Sequence, residues 1–251
     1  MTARFSFNSL EDPQTSAPAR EPIPESVVCS MPLQIDCDVL MTSVLDEDAP
    51  AGIATIDGDE VFVPENYEPN YAYPLLVWLF PACGSNGRLE RLMRMISERN
   101  YFGVAIPVVD SEQLEQQLQE TFSRLRQSYH LHSERVYLMG IGESGTQALQ
   151  TGLSRPALFG GIAAVSARWP ETPRLLARFD ELRGKRVLLG INEHDSAAIV
   201  ADVMYAQQLL WSAGMNVSAL ASSADAEPHR SLLREVDRWV MQAIERPELV
   251  C

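Results

Sequence analysis

From Gly58 onward the chain alternates two kinds of segment, and that alternation restricts its fold more than any other feature. Pro74–Pro81 (PLLVWLFP) and Tyr101–Val109 (YFGVAIPVV) are apolar along their whole length, the mark of strands covered on both faces. Between them, Leu89, Leu92, Met93 and Ile96 recur at helical spacing. A strand, a one-sided helix and a second buried strand make a βαβ unit. The pattern continues with a helix over 111–128 (Leu114, Leu118, Phe122 and Leu125 on one face), strand RVYLMG, a helix from about Ser144, and strand GGIAAVSA. Strand KRVLLGI, a helix through Ala201–Ala213, strand MNVSALAS and a closing helix SLLREVDRWVMQAI complete it. Repeated units of this kind specify an α/β fold: a doubly wound, mostly parallel sheet with helices on both faces.

The first part of the chain has a different texture. Residues 1–26 are rich in Pro, Ser, Glu and Ala without periodicity, which predicts a mobile tail or arm. Short apolar runs between Val27 and Asp48 (VVCSM, CDVLMTSVL) predict one or two strands, an N-terminal β extension of a single domain spanning 27–251. Glu60–Tyr67 (EVFVPENY) reads as a further strand ending at a proline.

Charge narrows the choice of partners. Twenty Lys and Arg against 34 Asp and Glu give a net charge of −14, spread along the chain, which repels phosphate backbones and anionic lipid. No nucleic acid and no membrane are expected as partners. The N-terminus has no signal-peptide core and no later segment has the apolar length of a membrane span, so the expected location is the cytoplasm. Cys29, Cys37, Cys83 and Cys251 lack disulfide or zinc spacing, and His130, His132 and His194 lack ligand spacing with a carboxylate. Neither a metal nor a cofactor is expected.

Ligands of open parallel sheets bind beyond the carboxyl ends of the strands. Four loops there carry polar or small residues: Pro81–Gly87, Ile141–Gly145, Asn192–Asp195 and Ala224–His229. A small-residue turn, then an Asp, then a His is the chain order of the Ser-Asp/Glu-His hydrolase triad. Cys83, the other nucleophile type in these loops, is expected to be a buried small hydrophobe. Trp78, Trp169, Trp211 and Trp239 are spaced as core or pocket-wall residues.

The segments FVPENYEPNYAYPLLVWL leading to CGSN, then SERVYLMGIGESGTQAL, SRPALFGGIAAVS, LLGINEHD and PHRSLLREVDRWV occur in order from about Glu60 to the C-terminus. Together they resemble bacterial carboxylesterases of the phospholipase/carboxylesterase family and related secreted depolymerases, over about three quarters of the chain. The resemblance implies an α/β-hydrolase fold, with Asp195 as the acid that orients the general base His229. It also implies a small ester-like or acyl ligand, and a homodimer or another protein partner.

The match fails at the reacting group. Arg135–Gly140 align without a gap to the strand that ends before the family's nucleophile, which puts Gly142 where the serine stands. Glycine has no hydroxyl to deprotonate, although it adopts the angles of a tight turn at little cost. In the oxyanion region (Pro81, Ala82 and Glu143), relatives have His-Gly after the strand and this chain has Phe80-Pro81; proline has no N–H to offer. Pro228 also replaces the usual glycine before the histidine. These departures predict a catalytically impaired hydrolase acting in binding or interaction. The alternative is an active carboxylesterase or acyl hydrolase. In a shifted register Gly142–Thr146 reads G-x-S-x-T and makes Ser144 the nucleophile, with His229 and Asp195.

Overall fold

A computed structural model describes residues 52–56, 58–83, 85, 87–108, 111–170, 179–222 and 230–245. All belong to the unit Ala49–Cys251. The tail expected over 1–26 and the strands expected over 27–48 lie outside the described residues.

Eight strands form one sheet: β1 (Ile53–Ile56), β2 (Asp59–Phe62), β3 (Tyr73–Pro81), β4 (Phe102–Val108), β5 (Leu131–Ile141), β6 (Gly161–Val165), β7 (Arg186–Asn192) and β8 (Asn216–Ser222). Their spatial order is β1-β2-β4-β3-β5-β6-β7-β8. β1 and β2 are antiparallel, β2 is antiparallel to β4, and every later pair is parallel. The helices are α1 (Arg88–Ile96), α2 (Ser111–Ser128), α3 (Glu143–Ser154), α4 (Phe179–Leu182), α5 (Ala197–Ser212) and α6 (Arg230–Glu245). This is the mostly parallel sheet with helices on both faces that the alternation predicts, in keeping with the α/β-hydrolase fold that the resemblance implies.

Two apolar layers hold the sheet. Leu75, Val77 and Leu79 of β3 join a cluster with α2, α3 and α5, while Leu76, Trp78 and Phe80 join a cluster with α1 and α6 on the opposite face. The period-two alternation of a strand thus feeds both layers, and β3 is buried everywhere except at Pro81. Leu89, Leu92, Met93 and Ile96 of α1, the residues its sequence periodicity selects, are all buried. Full burial stabilises such side chains by about 1.5–3 kcal/mol each. Tyr101, fully buried ahead of β4, donates its hydroxyl to Asp237 Oδ1 of α6 at 2.7 Å. Burial, with Asp237 as the second cause, keeps that phenol protonated.

Three expectations need correction. The β1–β2 hairpin was not expected; its signal in the sequence is the Asp57-Gly58 pair between Ile53–Ile56 and Asp59–Phe62. Cys83 is exposed rather than buried, because the chain has already left the sheet there. Trp211 is 74% exposed rather than a core or wall residue, whereas Trp78 and Trp239 are both 3% exposed.

Candidate active site

β3 and β5 are neighbours, yet their following helices leave toward opposite faces: α1 packs in one apolar layer and α3 in the other. Such a point opens a crevice between the carboxyl ends of the two strands. Pro81, the last residue of β3, and Gly142, the residue after β5, stand on its two sides.

Gly142 occupies the sharp turn between β5 and α3 with φ 61° and ψ −125°. An L side chain reaches those angles only under strain, and glycine does so freely. The turn is tied down on both sides. Gly142 N–H donates to Val165 O at the end of β6 (2.8 Å), and Gly142 O accepts from Thr146 N (3.0 Å). A side chain at position 142 would meet nothing within 4 Å of its Cβ. Position 140 is the reverse case: a Cβ there would lie 2.2 Å from Ser144 O, so the first turn of α3 sits directly on Gly140.

Ser144 is the second residue of α3, 6% exposed, with its backbone against Gly140. Glu143, the first residue of the helix, is exposed. The first N–H groups of a helix have no partner within it, and those of α3 lie at the turn that follows β5. Across from it, β3 carries its pairing with β4 through Pro81, opposite Val108. Ala82 and Cys83 follow, both exposed.

The start of α1 is anchored to β2. The Ser85 hydroxyl, in a residue 6% exposed, donates to Glu60 Oε2, and Arg88 N–H and Nε both reach Ser85 O, at 2.9 and 2.8 Å. Burial, with the Glu90 carboxylate nearby as second cause, raises the Glu60 pKa above the usual carboxylate value.

Asp195 lies in the turn after β7. Its Oδ2 accepts from Asn192 N at 2.7 Å and from Ser166 Oγ at 2.9 Å. Ser166 follows β6 with φ 50°, one of two non-glycine residues with positive φ among those described, and its N–H donates to Gly190 O of β7. The Asp195 carboxylate, Ser166 and the Gly142 turn are therefore linked through the ends of three adjacent strands. The sequence reads GGIAAVSA as one strand, which hides Ser166; β6 ends at Val165, and Ser166 falls at the carboxyl edge. His229 and Pro228, on the connection from β8 to α6, lie outside the described residues. Among the described residues no three His, Cys, Asp or Glu side chains gather as metal ligands, and no helix is long and apolar enough to cross a membrane.

No protein-family profile matches the sequence, and no curated protein matches it. Solved structures do match by fold. A thermostable esterase superposes with a TM-score of 0.56 at 15% identity, over 73% of this chain and 58% of that one. Est1E from Butyrivibrio proteoclasticus gives 0.57 at 13% identity, over 78% of this chain and all of that one (100%). Brefeldin A esterase, a bacterial homologue of human hormone sensitive lipase, gives 0.58 at 17% identity, over 82% and 81%. The chain spans little more than half the length of the first of these. At such identities the likeness is one of fold.

Proposed function

We propose that this protein is an α/β-hydrolase-fold binding protein whose esterase-type centre has lost its nucleophile, and that it holds a small ester-like or acyl ligand, or engages a protein partner, without hydrolysing it. The conformation of Gly142 carries the reading. A turn at φ 61° between a buried strand and a helix is where a serine hydrolase exposes its Oγ, and here the residue has no side chain. The esterase names of the structural neighbours favour an ester-like ligand for the crevice. Pro81 adds a second loss, since a nitrogen without hydrogen cannot stabilise an oxyanion. Asp195, whose carboxylate accepts from Ser166 Oγ and Asn192 N, is the orienting acid in this reading, with His229 as its partner. Ser144 is a poor substitute nucleophile because it is buried within the helix.

The test uses the full chain. Incubation with short acyl nitrophenyl esters is expected to give no turnover above a His229→Ala control, and a fluorophosphonate probe is expected to leave the protein unlabelled. Covalent labelling at Ser144 that disappears in Ser144→Ala overturns the reading in favour of an active esterase. Gly142→Ser restores a hydroxyl at the turn and is expected to label. Its turnover stays weak, since one missing oxyanion donor costs about 10²–10³ in kcat.

A further inference from the structure

Away from the crevice, at the amino-terminal ends of β3 and β4, a cavity of about 220 Å³ is lined by Glu68, Tyr71, Tyr73, Arg99, Asn100 and Met241. Tyr73 opens β3 and Pro81 closes it, so roughly 25 Å of strand separates this cavity from the crevice. Its volume is below the roughly 300 Å³ at which sites for drug-sized ligands begin, which restricts an occupant to a small molecule.

One turn builds much of the wall. Tyr71 N–H donates to Glu68 O at 3.0 Å, and Glu68 N–H donates to the Tyr73 hydroxyl at 3.2 Å. The residues that carry one carboxylate and two phenol rings are therefore tied together without a ligand. The rings of Tyr71 and Tyr73 meet at 81° with their centroids 4.6 Å apart. Tyr73 is buried and packs against Tyr67 and Phe102, whereas Tyr71 is 47% exposed. A single exposed tyrosine is ordinary; one that lines a cavity beside a carboxylate offers a second attraction to the same sign of charge.

Charge decides which sign that is. Arg94 pairs with Glu65, Glu90 and Glu98, and Arg99 Nε lies 4.0 Å from Glu65. Glu68, exposed at the cavity, has no ion pair among the described residues. The side chain of Arg99 is 71% exposed, so its charge is offset by Glu65 and screened by water. The charge left over at the cavity is negative, on a chain whose net charge is −14. A carboxylate beside the electron-rich faces of tyrosine rings attracts a cation, and the thioether of Met241 offers a soft apolar contact.

We propose that this cavity is a second binding site, for a small organic cation with a methylated ammonium group. Tyr71 and Tyr73 are its aromatic contacts and Glu68 its counter-charge. Methyl groups spread the charge over a surface that meets a ring without first giving up strong hydrogen bonds to water, as a bare ammonium must. The occupant is the free cation rather than a lipid headgroup, because a headgroup brings a phosphate beside the carboxylates of Glu65, Glu68 and Glu98.

Calorimetric titration of the full chain with choline is expected to saturate with a Kd on the order of 1 mM. Dimethylbutanol, in which carbon replaces the nitrogen of choline, has the same shape without the charge and is expected to bind at least about 10-fold more weakly. Tyr71→Leu keeps apolar bulk and removes the ring; it is expected to weaken choline about 5-fold or more and to leave dimethylbutanol unchanged. Glu68→Gln is expected to weaken choline about 3-fold. Both replace exposed side chains, so the far-UV circular dichroism stays that of the parent. Absence of saturation by choline up to about 20 mM overturns the proposal. Dimethylbutanol binding as tightly as choline overturns it by making the cavity merely apolar, and choline binding that neither substitution weakens overturns it by placing the cation elsewhere. Phosphatidylcholine vesicles are expected to leave the chain in solution; co-sedimentation that Tyr71→Leu abolishes assigns the site to a lipid headgroup and overturns it too. None of these readouts involves ester hydrolysis, so the outcome is separate from that of the functional proposal.

Discussion

Gly142 and Glu60 each turn a local geometry into a measurable quantity. At Gly142 there is open space for a side chain but unfavourable backbone angles, so Gly142→Ser meets strain and no clash. Holding a non-glycine residue there is expected to destabilise the fold by about 1–3 kcal/mol, read as a lower urea midpoint with an unchanged slope. At Glu60 the argument is one of linkage. Its pKa in the fold is raised above the usual carboxylate value, chiefly by burial. The folded state therefore binds the proton more tightly than the unfolded chain does. The stability this confers is present in full below the unfolded value and is lost as pH rises through the folded one. Glu60→Gln keeps an acceptor for the Ser85 hydroxyl and removes the titration. The variant is expected to gain stability relative to the parent as the pH is raised from 4 to 7, measured by urea midpoints across that range; a constant difference would show that the carboxylate carries no burial penalty. Glu60 and Ser85 were not legible in sequence, since each is an ordinary polar residue until β2 and the start of α1 are brought together.

At the scale of elements, the legible features were those set by local periodicity, and the missed ones were set by where elements end. α2 spans Ser111–Ser128 as its apolar spacing requires, because a one-sided helix on a sheet has few other ways to bury Leu114, Leu118, Phe122 and Leu125. β5, by contrast, begins at Leu131 rather than Arg135, since Tyr73 of β3 pairs with Leu131 before the register shifts to Leu75 and Val136. That early pairing is a tertiary contact and leaves no mark in the polar residues His132–Glu134. The junction of β5 with α3 is the most demanding of these endings. Gly140→Ala puts a methyl 2.2 Å from a backbone oxygen of the following helix, where no flexible side chain can yield. It is expected to cost at least about 2 kcal/mol, by displacing the first turn of α3, seen as a lower thermal midpoint and faster amide exchange over Glu143–Ala148. The identity of Gly142 was readable from the alignment of Arg135–Gly140, whereas its dihedral angles and the Ser166–Asp195 bond come from three strands ending side by side.

Across the whole molecule, alternation specified the class of fold, but it could not specify the order of strands in space. Nothing local tells β3 that its neighbours are β4 and β5 rather than β2 and β4; long-range packing of both faces decides it. The same limit applies to Trp211 of α5, which the sequence reads as a core or pocket-wall residue and which is exposed. The exchange of β3 and β4 also has a consequence in time. A chain made from its N-terminus completes β3 long before β5 exists, and the second neighbour of β3 arrives only when Leu131–Ile141 has been synthesised. Until then, the most apolar strand of the protein waits with one edge unpaired, a state in which such strands are prone to associate wrongly. The centre of the sheet is therefore made well before the strand that closes its second edge.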